Sequence, residues 1–300
     1  MILAAIDIGS NAARLLIEEV SVYRGNTVDY TKLNLLRIPL RLGFDVFSTG
    51  KISPQKARLL LDTMKVYKGL MDIYQIEDFR AAATSAMRDA ANGPALIEAV
   101  EAETGIDIQI LSGQQEAAIL YETHIADAAN NRKNNLYIDV GGGSTEITLF
   151  SQTRLIFKES FNIGTIRLLQ GSVTEGQWGA MRDFLKKATE GYQPLHVVGT
   201  GGNINKVFSV SKRKEGTPLS LLFLKGFYQT LRKLTVAERS HQYGFRADRA
   251  DVIVPALEIY LSVMKWVEAG EIYVPKIGLA DGLIKMMYME QKTGPFSGNL

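Results

Sequence analysis

Apolar and polar positions along this chain follow two periods, and one segment occurs twice. Leu136, Tyr137, Ile138 and Val140 lead into Gly141-Gly142-Gly143-Ser144, and Ile147 and Leu149 lead out, which predicts strand, tight glycine turn, strand. Residues 5–17 lie over residues 137–149 without a gap: Asp7 falls on Asp139, Gly9 on Gly141, and the apolar positions match on both sides. Residues 27–42 continue as strand. Ser53-Pro54 opens a helix, and Ala57, Leu60, Leu61, Met64, Met71 and Tyr74 then recur at helical spacing to about Gln75. Residues 79–83 predict a short buried strand, 94–104 a helix stopped by Gly105, and 106–111 an alternating strand. Ser112-Gly113-Gln114-Gln115 has the form of a capping box, which puts Glu116 in the first turn of a helix running to about Ala129.

The wholly polar run Asn130 to Asn135 is the expected hinge, after which the second copy of the hairpin begins. Further strand follows at 155–161 and a helix at 177–190. His196 to Thr200 is strand, Gly201-Gly202 a turn, and a helix follows; 252–269 is a strongly apolar helix, 272–274 a strand and 280–289 a last helix. Strands open both halves, and helices alternate with strands afterwards. The expected fold class is therefore α/β, with two lobes, residues 1–124 and 125–300, flanking a cleft.

Glycines without a Cβ let another group approach the backbone closely, and successive N–H groups of such a turn can cradle an anion. Gly201 and Gly202, before a helix, offer a third such set. Asp139 before the second turn and Glu146 after it are hard oxygen donors suited to hydrated Mg²⁺. A hairpin also needs glycine for steric reasons alone, and Asp139 would then only bond to the turn backbone. The second copy, with Asp7 at the equivalent position, favours a phosphate site shared by the two hairpins. Glu116, by contrast, equally suits a carboxylate that complements its helix dipole.

Composition narrows the classes without choosing among them. Hydrophobic residues at 46% and charged residues at 22% suit a globular chain, and no apolar run approaches the roughly 20 residues of a membrane span. Met1-Ile2-Leu3 runs straight into a strand, leaving no room for a signal peptide, and with no cysteine a cytoplasmic setting is the expectation. His124, His196 and His241 lack metal-ligand spacing. The net charge of +2 is uneven: Lys206 to Arg249 holds ten Lys or Arg against three Asp or Glu, a local +7. That stretch is a solvated face or a receptor for a polyanion.

Several motifs in order resemble the exopolyphosphatase/guanosine-pentaphosphate phosphatase family. They are Ile6-Asp7-Ile8-Gly9-Ser10-Asn11, Ala83-Thr84-Ser85-Ala86-Met87-Arg88, Ser112-Gly113 with Glu116-Ala117, Asp139 to Glu146, Gly199 to Gly202, and Arg249-Ala250-Asp251-Val252-Ile253-Val254-Pro255. The resemblance covers nearly the whole chain and implies two ribonuclease-H-like lobes of the actin, Hsp70 and sugar-kinase superfamily, in the short two-domain form. It implies a first phosphate loop of Gly9, Ser10, Asn11 and Arg14, a second of Gly142, Gly143, Ser144 and Thr145, and further contacts from Gly201 and Gly202. Arg88 would hold a phosphate, Glu116 would be the catalytic base, and Asp139, Glu146 and Asp7 would serve magnesium, with a monovalent cation such as K⁺ as an accompanying option. Ala12, Ala13, Asn203 and Ala280 depart from the family's commoner residues, as do Gln114 and Gln115 beside Glu116.

The implied activity is Mg-dependent hydrolysis of a terminal phosphoanhydride, on inorganic polyphosphate or, as the alternative, guanosine pentaphosphate. No nucleic-acid or membrane partner is expected, and a homodimer is an open option. Two other classes stay in view. An ATP-dependent small-molecule kinase would need an acceptor pocket that nothing in the sequence marks. A non-catalytic actin-like nucleotide-binding protein would usually be longer.

Overall fold

The computed structural model describes residues 1–23, 27–116, 118–119, 134–152, 154–275 and 277–293. It divides into two units, residues 1–123 with 279–300, and residues 124–278.

In the first unit the chain runs β1 (Ile2–Ile8), β2 (Ala13–Val22), β3 (Val28–Ile38), α1 (Leu42–Thr49), α2 (Pro54–Ile73), β4 (Asp78–Ala83), α3 (Ser85–Asp89), α4 (Gly93–Thr104) and β5 (Ile108–Ile110). Its sheet has the order β3-β2-β1-β4-β5, antiparallel through the first hairpins and parallel beyond β1. β1 is almost entirely apolar because it is central and covered on both faces. Alternate residues divide between two cores: Ala4, Ile6 and Ile8 pack with Leu60, Met64 and Tyr67 of α2, while Leu3 and Ala5 face the other way.

The second unit repeats the plan with β6 (Asn134–Val140), β7 (Thr145–Ser151), β8 (Arg154–Phe161), α5 (Thr165–Leu169), α6 (Glu175–Ala188), β9 (Leu195–Thr200) and α7 (Gly202–Ser211). Then come β10 (Leu219–Ser220), α8 (Leu221–Leu231), α9 (Val236–Tyr243), α10 (Ala247–Ala250), α11 (Ile253–Trp266) and β11 (Glu271–Ile272). Its main sheet reads β8-β7-β6-β9, the order of β3-β2-β1-β4 in the first. α11 is the centre of the core, with Ile253, Leu257, Tyr260 and Val263 packed among Ile138, Val197 and Ile204.

The α/β class and the duplicated, two-lobed plan hold. The expected halves put the last helix, α12 (Leu279–Thr293), with the second lobe; it instead lies in the first unit, where Leu283, Ile284 and Met287 cover Leu3, Ala5 and Ala82. An amphipathic helix at a chain end carries its apolar stripe but no sign of which sheet it covers. Ala280 is 5% exposed in that core, so a small residue suits the position. The proposed hinge needs a correction as well. Asn134 and Asn135 are the first residues of β6, and Asn135 is buried against His196, Oδ1 to Nδ1 at 2.9 Å. Asn130 to Lys133, His124 and Ala117 lie outside the described residues. The strand expected over residues 27–42 ends at Ile38, and Leu42 instead opens α1.

Candidate active site

The two hairpins are built alike down to their turns. Gly9 N–H donates to the Ala12 carbonyl at 3.0 Å, and Gly141 N–H to the Ser144 carbonyl at 2.9 Å. Asp7 stands directly opposite Arg14, and Asp139 directly opposite Glu146, at the same step before each turn.

What surrounds the second turn decides where its amides point. The carbonyl of Gly141 accepts from Thr165 N–H at 3.0 Å, that of Gly142 from Ile166 N–H at 2.8 Å, and that of Gly143 from Arg167 Nε at 2.8 Å. Among the described residues the cis bond lies elsewhere, at Gln193–Pro194, so these peptides are trans and each N–H opposes its own C=O. The N–H groups of Gly142, Gly143 and Ser144 therefore all point away from α5, which is the concave donor arrangement that receives an anion. Gly164 permits it: a Cβ there would lie 2.4 Å from the Gly142 oxygen. The first turn uses the same device, its Ser10 and Asn11 carbonyls accepting from Gly43 and Arg41 N–H at 2.9 and 3.0 Å.

The hydroxyls near these turns have structural tasks. Ser10 Oγ lies 2.8 Å from Ser85 Oγ in a buried contact, and fully buried Thr145 donates to the Ile163 carbonyl at 2.6 Å. Ala13 is fully buried, and its carbonyl accepts from Tyr67 Oη at 3.1 Å.

One row across each sheet carries the charge. In the first unit it reads Arg37, Arg14, Asp7, Ala82 on β3, β2, β1 and β4, and Arg14 Nη1 meets Asp7 Oδ2 at 2.6 Å. In the second it reads Ser160, Glu146, Asp139, Thr200 on β8, β7, β6 and β9. The first row is basic, with two guanidiniums over one carboxylate; the second sets two carboxylates side by side with no cation among its four residues. Like charges facing across neighbouring strands are destabilising, and hard oxygen donors in that position suit a divalent cation. Gly201, with φ of 98°, lies beside Asp139: a Cβ there would stand 3.2 Å from Asp139 Oδ1. Gly201 caps α7, so Gly202 and buried Asn203 begin that helix, and Asn203 Oδ1 accepts from Arg249 Nη1 at 3.3 Å. Among the described residues no three or more His, Cys, Asp or Glu gather into a metal-holding group.

Arg88 and Glu116 both belong to the first unit. Arg88 lies in the last turn of α3 and donates from Nη1 to the Leu111 carbonyl at 2.7 Å, which ties it to the residue before the Ser112 cap. The capping box is present, Gln115 N–H to Ser112 Oγ at 3.1 Å and Ser112 N–H to Gln115 Oε1 at 2.9 Å, and residues 113–116 are helical. Glu116 is half-buried in that first turn. Sequence reading missed Arg37, Ser160, Gly164, Arg167 and the hydroxyl of Thr200. Only the Gly164 to Arg167 segment carried a signal, a glycine and an arginine in a strand-to-helix link with no other explanation.

A strand meander with a glycine turn, a parallel fourth strand, and the whole unit duplicated define a two-unit α/β protein. A model of the Ppx/GppA phosphatase family matches residues 22–291, and the chain belongs to that family. It is 31% identical over 228 residues to the bifunctional 3-dehydroquinate synthase/phosphatase of Fusobacterium nucleatum, covering 71% of this chain but only 34% of that protein. Exopolyphosphatase 1 of Mycobacterium tuberculosis is 26% identical over 306 residues, covering 95% of this chain and 87% of the relative. The solved Ppx/GppA family member of Aquifex aeolicus superposes with a TM-score of 0.75 at 25% identity, covering 98% of this chain and 99% of that one. Among the described residues no helix is long and apolar enough to cross a membrane.

Proposed function

We propose that this protein hydrolyses the terminal phosphoanhydride of inorganic polyphosphate, releasing orthophosphate. One observation carries the reading: three consecutive amides, of Gly142, Gly143 and Ser144, turned to one side at the end of a strand row that presents Asp139 and Glu146. An anion receptor and a cation receptor so placed suit a metal-bound phosphate, and phosphoryl transfer depends mainly on positioning and charge neutralisation.

Asp139 and Glu146 would hold Mg²⁺. Asp7 has its Oδ2 taken by Arg14, so the cation is assigned to the second-unit pair alone. When bound, the metal neutralises charge on phosphoryl oxygens. In the first unit Arg14, Arg88 and the amide at Asn11 would bind phosphate oxygens, and in the second the amides of Gly142 to Ser144 would do so. Glu116 would orient the attacking water and take its proton, and no side chain need become a covalent intermediate. Gly201 and Gly202 are kept as phosphate contacts. The roles of Ser10 and Thr145 narrow to their backbone amides, because their hydroxyls are engaged elsewhere.

For the rest of the substrate, the basic stretch divides. Arg239 donates to the Leu231 and Ala250 carbonyls, and Arg246 stands 3.4 Å from Asp248, so both serve the fold. Lys212, Lys214, Lys225 and Lys233 are exposed and could receive a polyanion tail. One feature favours guanosine pentaphosphate as a second reading. Phe223, Phe227, Tyr243 and Phe245 form a chain of ring contacts 5.3–5.8 Å apart, with Lys206 over Phe245 and Arg213 over Phe223, where a base could stack. The test is kcat/KM for long polyphosphate, tripolyphosphate and guanosine pentaphosphate, with Mg²⁺ and no phosphoryl acceptor. Long polyphosphate should give the highest value, and a higher one for the guanosine compound would exchange the two readings.

A further inference from the structure

The acidic row of the second sheet ends on both sides in a hydroxyl, and each hydroxyl points inward. Ser160 Oγ on β8 donates to Glu146 Oε1 at 3.0 Å, and Thr200 Oγ1 on β9 donates to Asp139 Oδ2 at 2.6 Å. The four residues are in direct register across four strands, so these bonds follow from the sheet itself. Thr200 is in turn held from behind, its carbonyl accepting from the phenol of Tyr260, a wholly buried residue of α11.

The equivalent row of the first sheet provides the comparison. There the positions of Ser160 and Thr200 are Arg37 and Ala82, and neither is a hydroxyl. The same fold is built with and without the flanking hydroxyls, so the strand order does not require them. They occur in the copy where two carboxylates face each other and are absent where a guanidinium already answers the aspartate. The pairing of hydroxyl with carboxylate pair is the pattern expected of groups that orient metal ligands from outside the coordination shell.

We propose that Ser160 and Thr200 are positioning residues for Asp139 and Glu146, setting the affinity of that pair for a hard divalent cation. Each donates to one oxygen of its carboxylate and so fixes the rotamer. A carboxylate already fixed loses less side-chain freedom when it takes up metal. This inference rests on the assignment of the cation to that pair. It adds that affinity for the cation, rather than the chemical step, is what the hydroxyls control.

The experiment is isothermal titration of Mg²⁺ into the full chain without substrate, for the wild type, Ser160→Ala, Thr200→Val and Thr200→Ser. The two hydroxyl-free variants should bind Mg²⁺ about 10-fold or more weakly, at the scale of metal-orienting partners, with kcat at saturating Mg²⁺ changed by less than about threefold. Thr200→Ser keeps the donor and should restore binding to near the wild-type value. Thr200 is buried, so if Thr200→Val does not fold, half-buried Ser160 decides through Ser160→Ala. Wild-type binding with an unchanged dissociation constant in the hydroxyl-free variants overturns this inference alone. A wild type that takes up no Mg²⁺ overturns the metal assignment and this inference with it.

Discussion

Gly164 and Gly9 both border a phosphate-type turn, and the space around them makes opposite predictions. A Cβ at Gly164 would meet backbone, the Gly142 oxygen at 2.4 Å and the Gly143 carbonyl carbon at 2.5 Å. Gly164→Ala should therefore displace the second turn, lowering melting temperature and abolishing turnover together. A Cβ at Gly9 would meet the Ala12 oxygen at 3.5 Å, an ordinary contact. Gly9→Ala should keep its melting temperature within about 2 °C, at the scale of a surface substitution, while substrate affinity falls because a ligand loses its approach to the backbone. Unchanged affinity would remove that turn from the substrate site. Glu116→Gln should cut kcat by about 100-fold with substrate affinity retained, the general-base scale; lost stability with full specific activity would make Glu116 a helix-dipole partner instead. Asp139 and Glu146 were legible in the sequence because they flank a glycine run. Ser160 and Thr200 were not, because strand register is invisible until the sheet is assembled.

At the scale of elements, what announced itself locally was found. Ser53 accepts from Lys56 N–H with Pro54 behind it, Gly105 takes a positive φ of 69° after α4, and the Ser112 box closes as read. α1 and α5 did not announce themselves; they are short, and their N-terminal amides bond to the carbonyls of the two turns. The contact of α12 with the β2–β3 hairpin was equally hidden, since it joins residues far apart in sequence. It contains a titratable device. Glu18 is 2% exposed; burial, with Asp281 adding to it, pushes its carboxyl from 4.5 up to about 7, against the opposing pull of Lys32 and Lys285. A carboxyl more readily protonated in the folded chain stabilises the fold least once it must ionise. Stability should thus decline as pH rises from about 4.5 through about 7. Glu18→Gln should flatten the change in melting temperature between about pH 5 and about pH 8. An identical profile in the variant would show that another group sets it.

For the molecule as a whole, duplication was the legible fact, because residues 5–17 and 137–149 align without a gap and their turns close with the same hydrogen bond. The two copies have since specialised, one row becoming basic and the other acidic, and that division emerges only from the paired registers. Charge on the second unit carries the prediction at this scale. If exposed lysines between residues 206 and 249 receive a polyanion tail, affinity for long polyphosphate should fall steeply with added salt, as in charge-dominated nucleic-acid binding, and tripolyphosphate should respond less. Equal salt dependence for both would leave those lysines as ordinary surface. The central claim is that water is the acceptor for a terminal phosphoryl group. It is tested most directly by incubating the protein with long-chain polyphosphate and Mg²⁺ in ¹⁸O-enriched water, with no other acceptor, and weighing the released orthophosphate by mass spectrometry. Hydrolysis predicts orthophosphate carrying a single water-derived ¹⁸O from each turnover; no orthophosphate, with the terminal phosphoryl group leaving polyphosphate only onto an added alcohol or nucleotide, would contradict it.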